Sequence, residues 1–374
     1  MSVLEIISMA KITESLWNES LEGHSVIPDE FDGITYYRIV KKVGKLKKGT
    51  VVTGSGIIYD FPRIARIMHL ENGIKQAFSN PFYAEEKVDG YNVRIVKVQG
   101  HVLAFTRGCY VCPFSTDRLV DFFDYDNFFK ENPDLIVCGE IAGPENPYNG
   151  ESPPYVTEDV SFFAFDIRIK NSDRQIPMEK RYKLFDEYKI PTVKRFGKFI
   201  PSDIKDIKKY IQDLNEKGCE GLVFKPTEPS EKTVKYVTAG SCMRDMKVTS
   251  QLMTEYQAEF FTNRMLRSLF YLVEHDLPLN KGFLEKAGEA LLQPLYESVK
   301  KVAGGEMITE RFKMRFNKEE NIKKLFDHFH KCKVDASLVR QEKIGQHWHV
   351  EYIRRCFPSY EMLQKHWDGH SHFD

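Results

Sequence analysis

Near residue 245 the pattern of the chain changes. Before that point, glycines separate short runs in which apolar and polar residues alternate. After it, glycine and β-branched alternation fade and long helical patterns take over. A chain of 374 residues is too long for one compact core, and about two to four domains are expected. The change of pattern therefore sets an α+β fold, with a strand-rich body followed by helices. The expected parts are a β-rich N-terminal module over residues 1–65, a mixed body over 66–245, a helical segment over 246–315 and an all-helical C-terminal domain over 316–374.

Within the first part, residues 34 to 59 alternate as strands do, with turns at Gly44 and Gly49. Asn72-Gly73 stands between two apolar stretches, which predicts a hairpin. Residues 83 to 107 read as two strands turned near Gly100. A helix is expected from about Thr116 to Glu131, capped by Ser115 or Thr116. LIVCGEIAG and SFFAFDIRI are strands, MEKRYKLFDEY and SDIKDIKKYIQDLNEK are helices, and EGLVFK and TVKYVT are short strands. In the second helix, Ile204, Ile207, Ile211 and Leu214 share one face. Leu252, Tyr256, Phe260, Phe261, Met265, Leu269, Leu272 and Val273 mark a wide apolar face on one helix, and residues 281 to 303 form another, closed by Gly304-Gly305.

No run of 18 apolar residues is present, so no membrane span is expected, and the N-terminus lacks the basic start of a signal peptide. Seven scattered cysteines point to reduced thiols and a cytoplasmic protein. Basic and acidic residues number 54 each, so a nucleic-acid partner must be held by a local patch. Local excesses occur at 41–48 and 170–183, where a solvated face is the ordinary reading. Cys109 and Cys112 form one C-x-x-C without a second pair of ligands, which does not make a zinc site. Seven of eleven histidines lie after residue 327, among them His328 and His372. Amphipathic helices that stack RNA bases explain them better than a metal does.

Polar residues interrupt the otherwise apolar strands at a few fixed places. Lys87 lies in EEKVDGYNVRI, Arg107 ends the next strand, Glu140 ends LIVCGE, and Asp166 follows Phe165 in FFAFDIR. Glu220 to Lys225 reads acid, glycine, apolar pair, aromatic, base, and Lys235 opens KYVT. Each alone is weak. As an ordered set they resemble the covalent nucleotidyltransferase superfamily of polynucleotide ligases and mRNA-capping enzymes. EKVDGYN is similar to its motif I, CGEIAG to motif III, FFAFDIR to motif IIIa, EGLVFK to motif IV and VKYV to motif V, over about residues 83 to 238. Asn92, five residues after Lys87, and Arg107, twenty after it, follow the RNA-ligase habit. The β-rich lead-in and helical tail most resemble the archaeal-type ATP-dependent RNA ligases, which are homodimers that seal or circularise RNA.

The resemblance implies antiparallel ATP-grasp-like sheets, ATP as co-substrate and Mg²⁺ or Mn²⁺ as the metal. Partners would be RNA ends bearing a 5′-phosphate and a 3′-OH, with single-stranded DNA left open, and a second copy bound through helices 246–315. Lys87 is implied as the nucleophile. Glu86 would read the adenine amino group, Asn92 and Arg107 would meet the sugar or the RNA phosphate, and Glu140 would bind a ribose hydroxyl. Phe165 would stack on adenine, with Phe163 as its rival, and Val223 would lie on the other face. Lys225 and Lys235 would contact phosphate, and Glu220 and Asp166 would hold the metal. Val237 stands where many ligases carry a second lysine.

Physical chemistry asks for the same groups. A lysine with its ordinary pKa of about 10.4 is protonated and not nucleophilic. Burial and nearby cations lower that pKa, so Lys235, Lys225 and a metal are expected to depress Lys87. The rival readings are a DNA ligase or capping guanylyltransferase, and an inactive RNA-binding scaffold. The helical tail, in place of a β-rich domain, counts against the first pair. The intact polar set counts against the scaffold.

Overall fold

The computed structural model describes residues 2–148 and 152–371. The N-terminal module opens with two helices, α1 (Val3–Met9) and α2 (Glu14–Glu22). A four-stranded antiparallel meander follows: β1 (Val26–Phe31), β2 (Ile34–Ile39), β3 (Val51–Thr53) and β4 (Gly56–Ile58). The helices correct the expectation of a purely β-rich lead-in. Ser2 and Glu5 form a reciprocal capping box, and Ile6, Ile7, Ile12 and Trp17 pack onto Val26, Ile39, Val52 and Ile57.

The body holds two sheets. A linker carrying β5 (Ala65–Arg66) leads to α3 (Leu70–Ala77), which replaces the expected hairpin. Leu70, Ile74 and Phe78 recur at helical spacing and are buried, and a Cβ on Gly73 would lie 2.5 Å from that of Ile67. Then come β6 (Phe82–Lys87), β7 (Tyr91–Val98), β8 (His101–Thr106) and three short helices, α4 (Pro113–Asp117), α5 (Leu119–Phe122) and α6 (Tyr125–Glu131). These three stand where one helix was expected, and the cap is Cys112, whose Sγ accepts from the Ser115 amide at 3.3 Å. The body continues with β9 (Leu135–Ala142), β10 (Ser161–Ile169), α7 (Met178–Glu187), β11 (Arg195–Phe199), α8 (Ile204–Glu216), β12 (Gly221–Pro226) and β13 (Val234–Val237).

One sheet runs β10-β9-β7-β8, the other β11-β6-β12-β13-β5. All their pairings are antiparallel except β13 with β5. The outer face of the second sheet buries Phe82, Ala84, Leu222, Phe224 and Tyr236 against α3 and α8, where Ile207 and Ile211 are fully buried. Its inner face is left to polar groups.

Past residue 238 come α9 (Ala239–Thr249), a 3₁₀ turn (Ser250–Glu255), α10 (Ala258–Glu274) and α11 (Lys281–Ala303). The expected single helix over 252–273 is broken at Tyr256, whose backbone is extended. The C-terminal part is not all-helical. It is a three-stranded antiparallel sheet, β14 (Thr309–Phe316), β15 (Ala336–Ile344) and β16 (His347–Arg355), ordered β14-β16-β15, with α12 (Glu319–Lys331) and α13 (Phe357–Trp367). Its period-two pattern was present in the sequence: Phe312, Met314 and Phe316, with Val350 and Tyr352, point one way and join the core of the body. Helix α12 is locked to α4, where the Asp117 carboxylate accepts from the Asn317 and Lys318 amides at 2.6 and 3.0 Å. His372 lies outside the described residues. No helix among the described residues is long and apolar enough to cross a membrane.

Candidate active site

A cavity of about 590 Å³ lies between the two sheets of the body. Strand alternation decides what enters it. On β6, Lys87 and Glu85 face inward; on β12 and β13, Val223, Lys225 and Lys235 do the same. The register places Gly221 opposite Lys87 and Val223 opposite both Glu85 and Lys235. From the facing sheet come Asn92 and Glu140, which are direct partners across β7 and β9. Arg107 stands just past the end of β8.

Lys87 Nζ donates to Glu220 Oε2 at 2.5 Å. Burial pushes the Lys87 pKa down, but Glu220, Glu140 and Asp89 push it up, and the net direction is upward. The expected depression of Lys87 is therefore corrected, because Glu220, Glu140 and Asp89 outweigh burial at this amine. The depression falls on Lys235 instead. Burial, then Lys87, lowers it to about 8, although Glu220 opposes them. The carboxyls respond to the same crowding. Burial raises Glu140 to about 7, with Glu220 adding to it and Lys87 opposing. Burial and then Glu220 raise Asp89 to about 8.

Lys225 is tied elsewhere. Its Nζ donates to Glu85 Oε2 and to the Phe165 carbonyl, both at 2.5 Å. Tyr182 donates to the other Glu85 oxygen at 2.7 Å, so this buried pair is fully engaged. Asp166 is likewise occupied, accepting from Arg181 at 2.5 Å and from Arg168 at 3.4 Å. Its two guanidinium partners leave it poorly placed as a metal ligand, against the expectation for this residue. Glu86 also lines the cavity, though its side chain leads away from that of Lys87. It pairs with Leu222 on the outer face of the sheet, beside Tyr155 and Cys219, and burial raises its carboxyl. Glu85, one residue earlier, is the acid on the Lys87 face.

The choice between Phe165 and Phe163 is made by a β-bulge. Ala164 pairs with Gly139 and Asp166 with Cys138, so Phe165 is the extra residue and turns into the cavity. Phe163 turns away and meets Tyr155 edge-on at 6.1 Å. Arg94 donates to the carbonyls of Gly49, Tyr59 and Thr106 and ties the N-terminal module to β7. Cys109 and Cys112 are both buried and unpaired.

Two family models match the chain. The RNA ligase model covers residues 80–237, and the model of the C-terminal region of the ligase Pab1020 covers residues 248–370. An uncharacterised protein of Methanocaldococcus jannaschii is 30% identical over 340 residues, which is 87% of this chain and 85% of that protein. The chain belongs to the RNA ligase family.

Solved structures agree with this over the whole ligase. An archaeal ATP-dependent RNA ligase superposes with a TM-score of 0.89 at 27% identity, covering 100% of both chains. A protein of Aquifex aeolicus, provisionally named an ATP-dependent DNA ligase, gives 0.90 at 35% identity, covering 96% of this chain and 100% of its own. The ligase also carries cavity residues that the motif pattern did not single out. Glu85 was recoverable from period two on β6. Tyr110, Tyr148, His328 and Cys332 line the cavity from elements distant in sequence, and no local signal marks them.

Proposed function

We propose that the protein joins RNA ends in an ATP-dependent reaction, through a covalent lysyl-AMP and an adenylated RNA. The observation that carries this reading is Lys87 held at 2.5 Å by Glu220 in the cavity between the two sheets, with Lys235 beside it. Adenine lies between Phe165 and Val223, which reach the cavity from opposite sheets. Asn92 Oδ1 is buried without a hydrogen-bond partner and accepts from a sugar hydroxyl, as does its neighbour Glu140. Lys235 has no carboxylate within ion-pair distance among the described residues, which frees it for the α-phosphate. Lys225 serves the site through Glu85 rather than by touching phosphate.

Among the described residues no group of three carboxylates, histidines or cysteines is placed to hold a metal, and Glu220 at Lys87 would be the protein carboxylate for Mg²⁺ or Mn²⁺, which take one or two carboxylates and complete their shell with phosphate and water. Such an ion would supply positive charge to the phosphate oxygens. Lys87 becomes a nucleophile when it gives up the proton it shares with Glu220. Substrates are RNA 5′-phosphate and 3′-OH ends, joined within one molecule or between two, and single-stranded DNA is a second substrate class to be assayed.

The protein also works as a homodimer. Helices α10 and α11 leave Leu269, Phe270, Val273, Leu284, Leu292 and Tyr296 exposed, Val273 at 77% and Leu292 at 67%. A face of this kind is covered by a second copy in a symmetric contact. Seven cysteines without disulfides suit a reducing cytoplasm.

The deciding experiment incubates protein and magnesium with α-labelled ATP or GTP. Label that survives denaturation, comes from ATP alone and is lost in Lys87→Ala is the expected result. Label from GTP would move the reading to capping, and no label would reduce it to nucleotide binding.

A further inference from the structure

The cavity has a second aromatic end that the nucleotide contacts proposed above leave unused. The sheet that forms one wall is ordered β10-β9-β7-β8, so Phe165 stands at one edge, with Glu140 and then Asn92 on the strands that follow. Past the opposite edge the chain turns back, and Val111 pairs with Phe105 on the side of β8 away from β7. Tyr110, next to it, lines the cavity together with Tyr148, His328 and Cys332. Three strand spacings separate β10 from β8, about 14 Å. The wall thus runs from one ring, across a polar middle, to a second group of rings.

The second group is held in place from several sides. Tyr110 meets His328 edge-on at 5.1 Å, and Tyr148 meets it at 6.3 Å. Arg38, buried and paired with Asp29 at 3.0 Å, lies over the Tyr110 ring at 3.8 Å. The Tyr148 hydroxyl is 3.1 Å from Cys112 Sγ. His328 is 8% exposed, and burial, then Lys331, lowers its pKa to about 4. Its imidazole is therefore neutral, with one donor and one acceptor nitrogen. Cys332 Sγ, one turn along α12, lies 3.9 Å from Nδ1 and 3.8 Å from Nε2. The two nitrogens point apart, so a single sulfur between them satisfies neither. Buried polar atoms are normally satisfied, and this ring is left for a ligand that both donates and accepts. A flat ring with donors and acceptors on its edge meets both demands, stacking and hydrogen bonding, and a nucleobase is such a ring. His328 and Cys332 lie outside the stretch matched by the RNA ligase model and within that of the Pab1020 C-terminal region, so a separate part of the chain completes this end.

The proposed reaction says which base. In the adenylated RNA, AMP is joined to the first nucleotide of the RNA by a 5′–5′ pyrophosphate. That intermediate is a dinucleotide, with a base at each end and the phosphates between. Adenine takes the Phe165 end, which leaves the other end to the base of the RNA's 5′-terminal nucleotide.

We propose that Tyr110, Tyr148 and His328 form a base pocket that holds the 5′-terminal nucleobase of the RNA, by stacking on the rings and by hydrogen bonds to the imidazole. This rests on the lysyl-AMP reading. Its test uses full-length protein preloaded with labelled AMP and limiting amounts of 5′-phosphorylated RNA that is intact, abasic at the first nucleotide, or abasic at the second. The rate of AMP transfer to each is measured. In the wild type, loss of the first base slows transfer about tenfold or more, as expected for a lost base–aromatic stack, and loss of the second slows it less. In Tyr110→Ala the penalty for the missing first base shrinks to about twofold, whereas Tyr110→Phe, which keeps the ring, retains it. Equal transfer to intact and first-abasic RNA by the wild type would overturn the proposal. So would a penalty that Tyr110→Ala and His328→Ala both leave unchanged, or one of equal size at the second nucleotide. Sealing of pre-adenylated RNA to an acceptor abasic at its 3′ end gives a further check. A penalty found there and erased by Tyr110→Ala would assign the pocket to the acceptor and refute the 5′ assignment. If the wild type forms no lysyl-AMP, the parent reading fails. Fluorescence anisotropy of the intact and first-abasic RNA with wild-type and Tyr110→Ala protein then tests the pocket alone, and equal affinities would refute it.

Discussion

At the scale of the residue, two lysines that look alike in the sequence have opposite surroundings. Among the described residues Lys235 has no acid within ion-pair distance and sits beside Lys87, whereas Lys225 is buried against Glu85. Lys235→Ala is expected to slow lysyl-AMP formation by about a hundredfold or more, the usual cost of losing a preorganised group at developing charge, with stability little changed. Lys225→Met leaves Glu85 buried without its cation and is expected to cost ~3–5 kcal/mol in urea unfolding. If the two variants exchanged these phenotypes, the assignment would be wrong. His275 offers a different test. Both its ring nitrogens are buried without partners, and burial lowers its pKa to about 4. Between about pH 6.5 and 4 the unfolded chain binds a proton at this residue that the folded chain does not, so stability is lost as pH falls through that window. His275→Phe, which keeps the ring packed on Tyr271 at 4.4 Å, is expected to flatten the acid limb of a stability–pH curve without loss at neutral pH.

At the scale of the element, the site depends on how β12 and β13 meet. Gly221 pairs with Lys87 on one side and Val237 on the other, and a Cβ there would lie 2.1 Å from the Tyr236 carbonyl. Gly221→Ala must part the two strands and shift Glu220 and Lys235 together. A destabilisation of ~1–3 kcal/mol is expected by urea unfolding, with a fall in ATP labelling beyond what that loss explains. Helix α10 braces the same strand from behind. Arg267 donates to the Val237 carbonyl at 3.1 Å and pairs with Glu274 at 2.5 Å, and Glu274 accepts from the Leu70 amide at 2.7 Å. The helix that offers Leu269 and Val273 outward thus holds β13 inward.

At the scale of the whole molecule, the N-terminal module, body and C-terminal sheet close on one another. Lys324 pairs with Asp32 at 2.6 Å and Lys331 with Asp29 at 3.0 Å, so α12 joins the first module across the body. The Lys324 pair is solvent-facing and worth little, and Asp29 is buried and already held by Arg38 at 3.0 Å. The firmer join is Asp117 against α12 and the shared apolar core. The apolar face of α10 and α11 is the one proposed to meet a second copy. Light scattering at micromolar concentration is expected to give a dimer for the wild type and a monomer for Leu269→Glu with Val273→Glu. A monomeric wild type would sink this assembly.

Much of the body was legible because periodicity is local. The apolar face of α8, the helix over 281–303, the strands bearing Lys87, Glu140 and Lys235, and the strand that starts just after Glu220 all follow from spacing within single segments. Where the reading failed, it had stopped short of that same rule. Period two on β6 already placed Glu85, not Glu86, beside Lys87, and period two in 309–316 and 347–355 already described strands. Other features could come only from tertiary structure. A bulge chose Phe165 over Phe163, Glu85 claimed Lys225, three carboxylates kept Lys87 protonated, and a parallel pairing set Arg66 opposite Lys235. Alternation along a strand says which side chains share a face. Register, bulges and burial decide what stands across from them, and charge acts through space between residues that the chain keeps far apart.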